Sequence, residues 1–96
     1  MFYAGFEDPD HTFLIYPAGA KTNRNFTSNG QPYYYDPTIR SWYINGKARE
    51  NYVVVSSPYM YAEKGQIGLT FSKALIGVNK NSFNGVVGID VTIMAL

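Results

Sequence analysis

The clearest hydrophobic pattern lies near the end of the chain, in "VVGIDVTIM" at 86–94. Val87, Ile89, Val91 and Ile93 alternate with Gly88, Asp90 and Thr92. A period of two puts the sets on opposite faces of a β-strand. "QIGLTFSKALIGV" at 66–78 repeats the arrangement: Ile67, Leu69, Phe71 and Leu75 form one set, interrupted by Lys73, and Gly68, Thr70, Ser72 and Ala74 form the other. The large apolar sets are the expected core faces. The small, polar sets either meet water or line a pocket. Alternation alone favours water for Asp90, because a buried carboxylate without a partner is too costly. Two such strands side by side suggest a sheet with a shallow concavity that suits a small polar ligand.

"FYAGF" and "TFLIY" flank the turn residues of "EDPDH" and predict a hairpin. From Pro17 to Pro32 the chain is rich in Gly, Asn, Thr and Ser, which predicts a long loop, and loops of that length are often functional. "SWYINGKAREN" allows a short helix with Ser41 as its N-cap, weakened by Gly46. "YVVVSSPYMY" is a β-branched run and a strand, with Pro58 near its end. The pattern therefore predicts one α+β domain over 1–96, with five strands and a long loop between the second and third. The last three strands are joined by short turns and are expected to form an antiparallel meander.

Composition narrows the functions. Apolar residues make up 46% of the 96, charged ones 16%, and the formal net charge is +1, so the chain is expected to fold. The cations are scattered, which argues against a nucleic-acid surface. There is no cysteine, hence no thiol nucleophile and no thiolate metal ligand. No apolar run approaches the roughly 18 residues of a membrane span. Asn25-Phe26-Thr27 is a glycosylation triplet, weak support for an extracellular home. No Ser/His/Asp order, phosphate loop or metal-ligand cluster is visible, so no catalytic or metal residue is assigned. His11 is expected to be a solvated turn residue. Glu7, Asp8 and Asp10 read as a charged hairpin tip rather than a cation site.

One stretch stands out chemically. "YYYDPTIRSWY" at 33–43 crowds five aromatic rings, one Asp and one Arg into eleven residues. Taken alone, Asp36-Pro37 with Arg40 is a local turn, and Trp42 and Tyr43 are core plugs. Tyr33 and Tyr34 are expected to pack on the sheet. With "VVVSSPYMY" at 53–61, "IGLTFSKAL" at 67–75 and "GVVGIDVTI" at 85–93, the stretch resembles the Cache domain, and more closely the ligand-binding module of double-Cache extracellular sensors. Such sensors occur in bacterial chemoreceptors and histidine kinases. The resemblance runs from about Phe2 to Ile93. It implies a PAS-like fold, a five-stranded antiparallel sheet with a ligand pocket under a loop and a short helix. It also implies an extracellular or periplasmic module of a larger, membrane-anchored protein, which dimerises through an N-terminal helix outside this chain.

The subset of that family that binds amino acids holds the ligand carboxylate with a Tyr, an Arg and a Trp. A later Tyr and an Asp hold the ammonium group. Tyr35, Arg40, Trp42, Tyr59 and Asp90 fill those positions here. Arg40 offers a planar fork that matches a carboxylate, the rings exclude water around it, and Asp90 supplies the opposite charge. The resemblance thus implies a zwitterionic ligand and no cofactor. Tyr61 replaces an Asp that the family often has, "EKGQ" replaces a frequent Thr-Gly turn, and "INGKAREN" is poorer in helix formers than the usual lid. The alternative is an auxiliary or protein-interaction module, as in the alpha-2-delta subunits of calcium channels, with an empty pocket. An expected fragment of a larger sensor fits either reading.

Overall fold

The computed structural model describes residues 2–16, 26–28, 31–61, 65–77 and 82–95. The strands are β1 (Phe2–Phe6), β2 (Phe13–Tyr16), β3 (Phe26–Ser28), β4 (Gln31–Tyr33), β5 (Val54–Val55), β6 (Tyr59–Tyr61), β7 (Gln66–Ile76) and β8 (Phe83–Ala95). A 3₁₀ turn, Pro37–Ile39, leads into helix α1, Ser41–Ala48. The main sheet has six strands in the order β2-β1-β8-β7-β5, with β6 also paired to β7. Every pairing in it is antiparallel. The expected meander of the last strands is present. The third expected strand is two short ones, β5 and β6, which pair with successive parts of β7. Pro58 lies between them, lacks an N–H and suits the break. Within the expected long loop, β3 and β4 form a separate hairpin. Asn25 lies outside the described residues.

The core sits on the face opposite to the one expected. Thr70 lies opposite Asp90, Ser72 opposite Gly88 and Ala74 opposite Val86, so the small and polar sets share one face. Helix α1 covers part of that face. Tyr3, Phe13, Tyr43, Ala74 and Val86 are buried there, with Thr70 and Ser72 among them. On the other face Val91 and Ile93 are 39% and 51% exposed, and Ile67, Leu69, Phe71, Val87 and Ile89 are only half-buried. The reason is volume. Small strand residues leave space for large rings arriving from β1, β2 and α1, and close packing fills that space.

Two glycines mark close approaches that bear on the site. A Cβ on Gly46 would lie 2.7 Å from Cγ1 of Val86, so the helix rests on β8 there. A Cβ on Gly88 would lie 2.2 Å from Cε2 of Tyr3, its cross-strand neighbour. Gly46 therefore lets the helix dock, although the sequence makes it look like a flaw in the helix. Tyr43, expected to be a core plug, is 1% exposed. Among the described residues no helix is long and apolar enough to cross a membrane.

Candidate functional site

The segment that carries the aromatic motif is fixed at its start by Asp36. Its side chain accepts from the backbone N–H of Thr38 at 3.0 Å and from the Thr38 hydroxyl at 2.7 Å, and so caps the 3₁₀ turn. Pro37 occupies the first turn, where its missing N–H costs nothing. Arg40, extended at φ −84° and ψ 148°, closes this turn through its N–H to the Pro37 carbonyl and is itself the N-cap of α1. Ser41, expected to be the cap, is the first helical residue. No side chain caps the helix, since the extended position belongs to Arg40.

His11 is half-buried rather than solvated. Its Nδ1 lies 3.0 Å from Oδ1 of Asp36. The cause is the Asp8 turn. Asp8 accepts from the Thr12 N–H at 2.7 Å and the Thr12 hydroxyl at 2.6 Å, and its carbonyl accepts from the His11 N–H at 2.9 Å. These bonds hold His11 at φ 49°, a left-handed conformation unusual for a residue with a side chain. Tyr34, expected to pack on the sheet, is 49% exposed and donates its hydroxyl to the Asp10 carbonyl. The side chain of Tyr33 lies outside the described residues.

A cavity of about 310 Å³ opens above the sheet beside α1. Tyr35, Trp42, Tyr59 and Asp90 line it, together with Tyr3, Phe13, Ile15 and Thr70. Four of the five residues picked from the sequence therefore meet around one space. Arg40 does not line it. Its guanidinium carbon lies 4.5 Å from the centre of the Tyr35 ring, and the residue is exposed. Such stacking pre-orients the guanidinium at the edge of the site. Tyr35 also accepts from the Trp42 indole N–H at 3.4 Å and packs on Phe13, with ring centres 4.4 Å apart.

At the floor, Asp90 Oδ1 accepts two hydroxyls, from Tyr3 at 2.6 Å and from Thr70 at 2.8 Å. The hydroxyl of Tyr59 lies 2.8 Å from that of Thr70. Thr70 has one proton and gives it to Asp90, so Tyr59 is the donor to Thr70. The result is a chain from Tyr59 through Thr70 to Asp90, with Tyr3 arriving from the other side. Burial, then the hydrogen bond to Asp90 and its charge, push the Tyr3 phenol well above its ordinary pKa. Tyr3 therefore stays protonated and remains a donor at any physiological pH.

Tyr3, Phe13, Ile15 and Thr70 are the lining residues that sequence reasoning missed, and Tyr3 and Thr70 are the ones that bond Asp90. Thr70 was legible in part, since it shares the small, polar face with Asp90. Tyr3 was not, because β1 and β8 are neighbours only in the folded sheet.

The sensor-domain family described as "Methyl-accepting chemotaxis protein-like, first PDC sensor domain" matches residues 2–96. The chain belongs to this family. It is a sensor domain of the Cache/PDC type rather than an enzyme. Among solved structures it is similar to the ligand-binding domain of the amino acid chemoreceptor PctC of Pseudomonas aeruginosa PAO1, in complex with GABA. That match has a TM-score of 0.71 and 24% identity, and it covers 96% of this chain and 34% of the other. The ligand-binding domain of Mlp24 with asparagine matches with a TM-score of 0.65 and 26% identity, over 96% of this chain and 33% of the other. The chain thus spans about a third of each of those chains. A comparison with curated proteins returned no match.

Proposed function

We propose that this sensor domain binds a small zwitterion, most simply an amino acid, with Tyr35, Arg40 and Trp42 on the carboxylate and Tyr59 and Asp90 on the ammonium group. The observation that carries this reading is the buttressed Asp90. A carboxylate gripped by two hydroxyls at the floor of an aromatic cavity is suited to a cation, and Arg40 stands at the rim for an anion. A ligand with both charges answers both groups. The amino-acid and GABA ligands of the two similar structures support the same chemistry. Three or four charge-assisted hydrogen bonds of about 1.5–3 kcal/mol each reach about 8 kcal/mol, roughly micromolar affinity before ordering costs are deducted, which suits reversible sensing. The domain would sit on the extracellular or periplasmic side of a membrane-anchored receptor and pass pocket closure to an output elsewhere.

The test is a thermal-shift screen against the twenty amino acids, small amines and organic acids. A ligand that binds only the folded state raises the melting temperature. The expected result is a shift with a group of amino acids, abolished by Arg40→Ala and by Asp90→Ala. No shift with any of them, on folded protein, refutes the zwitterion reading and leaves the auxiliary-module role.

A further inference from the structure

Behind Trp42 lies a second, smaller chamber of about 110 Å³. It shares Trp42, Tyr59 and Thr70 with the main cavity and continues under α1 towards β5 and β7. Its own lining is neutral and polar: Ser41 and Asn45 from the helix, Ser56 near β5, and Ser72 from β7. Three of the chamber's hydroxyls are engaged within the protein. Ser56 donates to the Ser57 carbonyl and accepts from the Thr70 N–H, Tyr59 donates to Thr70, and Thr70 donates to Asp90. Ser41, Asn45 and Ser72 have no side-chain hydrogen bond among the described residues. Ser72 is only 3% exposed, so its hydroxyl meets little but this chamber.

Three unengaged polar groups therefore converge on one small space beside the candidate site: Ser72 is buried at its base, and Ser41 and Asn45 are exposed helix residues at its mouth. A buried hydroxyl such as that of Ser72 favours a hydrogen-bonding partner, and leaving it unpaired is costly. The volume corresponds to roughly three or four waters at about 30 Å³ each, which is also room for a carboxamide or a hydroxyl on a short stem. Among the described residues no charged side chain lines the chamber, so a charged group entering it would be desolvated without a counter-charge from them. The Trp42 ring and Val54 supply apolar wall for a methylene stem.

We infer that this chamber is the side-chain subsite, and that it selects an amino acid whose side chain ends in a neutral hydrogen-bonding group, a carboxamide or a hydroxyl. The inference rests on the zwitterion reading, which places the ligand's α-carbon in the main cavity. Asn45 and Ser72 are its specificity residues: the amide offers both donors and an acceptor, and the hydroxyl answers whichever the ligand presents.

The test uses isothermal titration of shape-matched pairs: asparagine against leucine, threonine against valine, and glutamine against glutamate, with glycine as the ligand that has no side chain. The expected result is a preference for the first member of each pair on the order of tenfold or more, equivalent to one or two net hydrogen bonds. Ser72→Ala and Asn45→Ala should each shrink the asparagine-to-leucine ratio towards one, read against glycine on the same variant. Asn45 lies on an exposed helical position, so its variant serves if Ser72→Ala does not fold. Leucine and valine binding as tightly as their polar partners overturns the inference, as does a ratio that survives both substitutions. In those cases glycine still binds and the zwitterion reading stands. Failure of every amino acid to bind, glycine included, overturns both.

Discussion

Gly88→Ala is a sharp probe of how the candidate site is built. The added Cβ would lie 2.2 Å from Cε2, 2.7 Å from Cζ and 2.9 Å from Cδ2 of Tyr3. Carbon atoms rest at about 3.5–4.0 Å, so the ring must retreat by more than about 1 Å. It has little room to do so. Tyr3 is 8% exposed, meets Trp42 edge-on at 4.7 Å between ring centres, and has Phe13 at 6.1 Å. A retreat of that size also stretches its 2.6 Å bond to Asp90 beyond hydrogen-bond range. Overpacking costs about 1–3 kcal/mol. A hydrogen bond to a charged group contributes about 1.5–3 kcal/mol. Ala gains back roughly 0.5–1 kcal/mol over Gly through the unfolded chain. The net is a loss of about 3 kcal/mol, or a melting temperature lower by more than about 10 °C for a domain of this size.

The assay is a double-mutant cycle by urea denaturation, with Tyr3→Val as the second substitution. Without the ring there is nothing to hit and no hydroxyl to displace. In that background Gly88→Ala should become neutral or stabilising by up to about 1 kcal/mol, which gives a coupling energy of about 3 kcal/mol. If Gly88→Ala destabilises both backgrounds equally, the reasoning is wrong, and the glycine is needed for some reason other than Tyr3.

Asp90→Asn keeps an oxygen for Tyr3 and Thr70 but removes the charge. Calorimetry should therefore show lost binding of amino acids with a folded state close to the parent's, where Asp90→Ala also strands two donors and loses stability. Gly46→Ala improves helix propensity by about 1 kcal/mol, yet its Cβ would sit 2.7 Å from Val86. A lower denaturation midpoint is expected, and a higher one would mean that the helix does not rest on β8. Acid should also unfold the domain along a defined path. Hydrogen bonds from the Thr12 side chain and backbone hold Asp8 below its ordinary pKa, and the Lys47 ammonium at 2.7 Å does the same for Glu7. Burial works to raise Asp36, but Thr38 and His11 outweigh it and its pKa is also lowered. Depressed folded-state values contribute stability above the ordinary range of about 4 that is lost as pH falls through the lowered values. The urea midpoint should thus be flat near neutrality and fall below about pH 4, less steeply in Asp8→Asn and Asp36→Asn.

The strands were legible because alternation survives folding: β7 and β8 fall where period two puts them. Their orientation was not. Alternation tells which residues share a face, and it does not tell what lies over that face. Gly68, Thr70, Ser72 and Gly88 look solvent-facing when only their own size and polarity are weighed. They are buried or partly buried because Tyr3, Phe13, Trp42 and Tyr43 bring the missing volume from elsewhere in the chain. Tyr35, Trp42, Tyr59 and Asp90 were legible only through the family resemblance that their motifs carry, and they do meet around one cavity. Tyr3 and the His11–Asp36 contact depend on pairings across 87 and 25 positions, which no local pattern encodes.

The swap of faces has a consequence for how the domain works. Trp42 lines the main cavity and the smaller chamber while its ring touches Tyr43, the most deeply buried large side chain, at 5.7 Å between centres. Tyr3 likewise belongs to the core and to the Asp90 network at once. Site and core are therefore one layer, held between α1 and the sheet. The small residues Gly46 and Gly88 make this layer thin enough for the helix and the Tyr3 ring to approach the sheet. A polar group kept inside that layer lowers the stability it would have if filled with apolar side chains. Occupancy by a ligand that satisfies Asp90 should restore it. Binding and stability are then coupled through shared side chains, and a ligand that grips Trp42 and Asp90 acts directly on the contacts that hold α1 to the sheet.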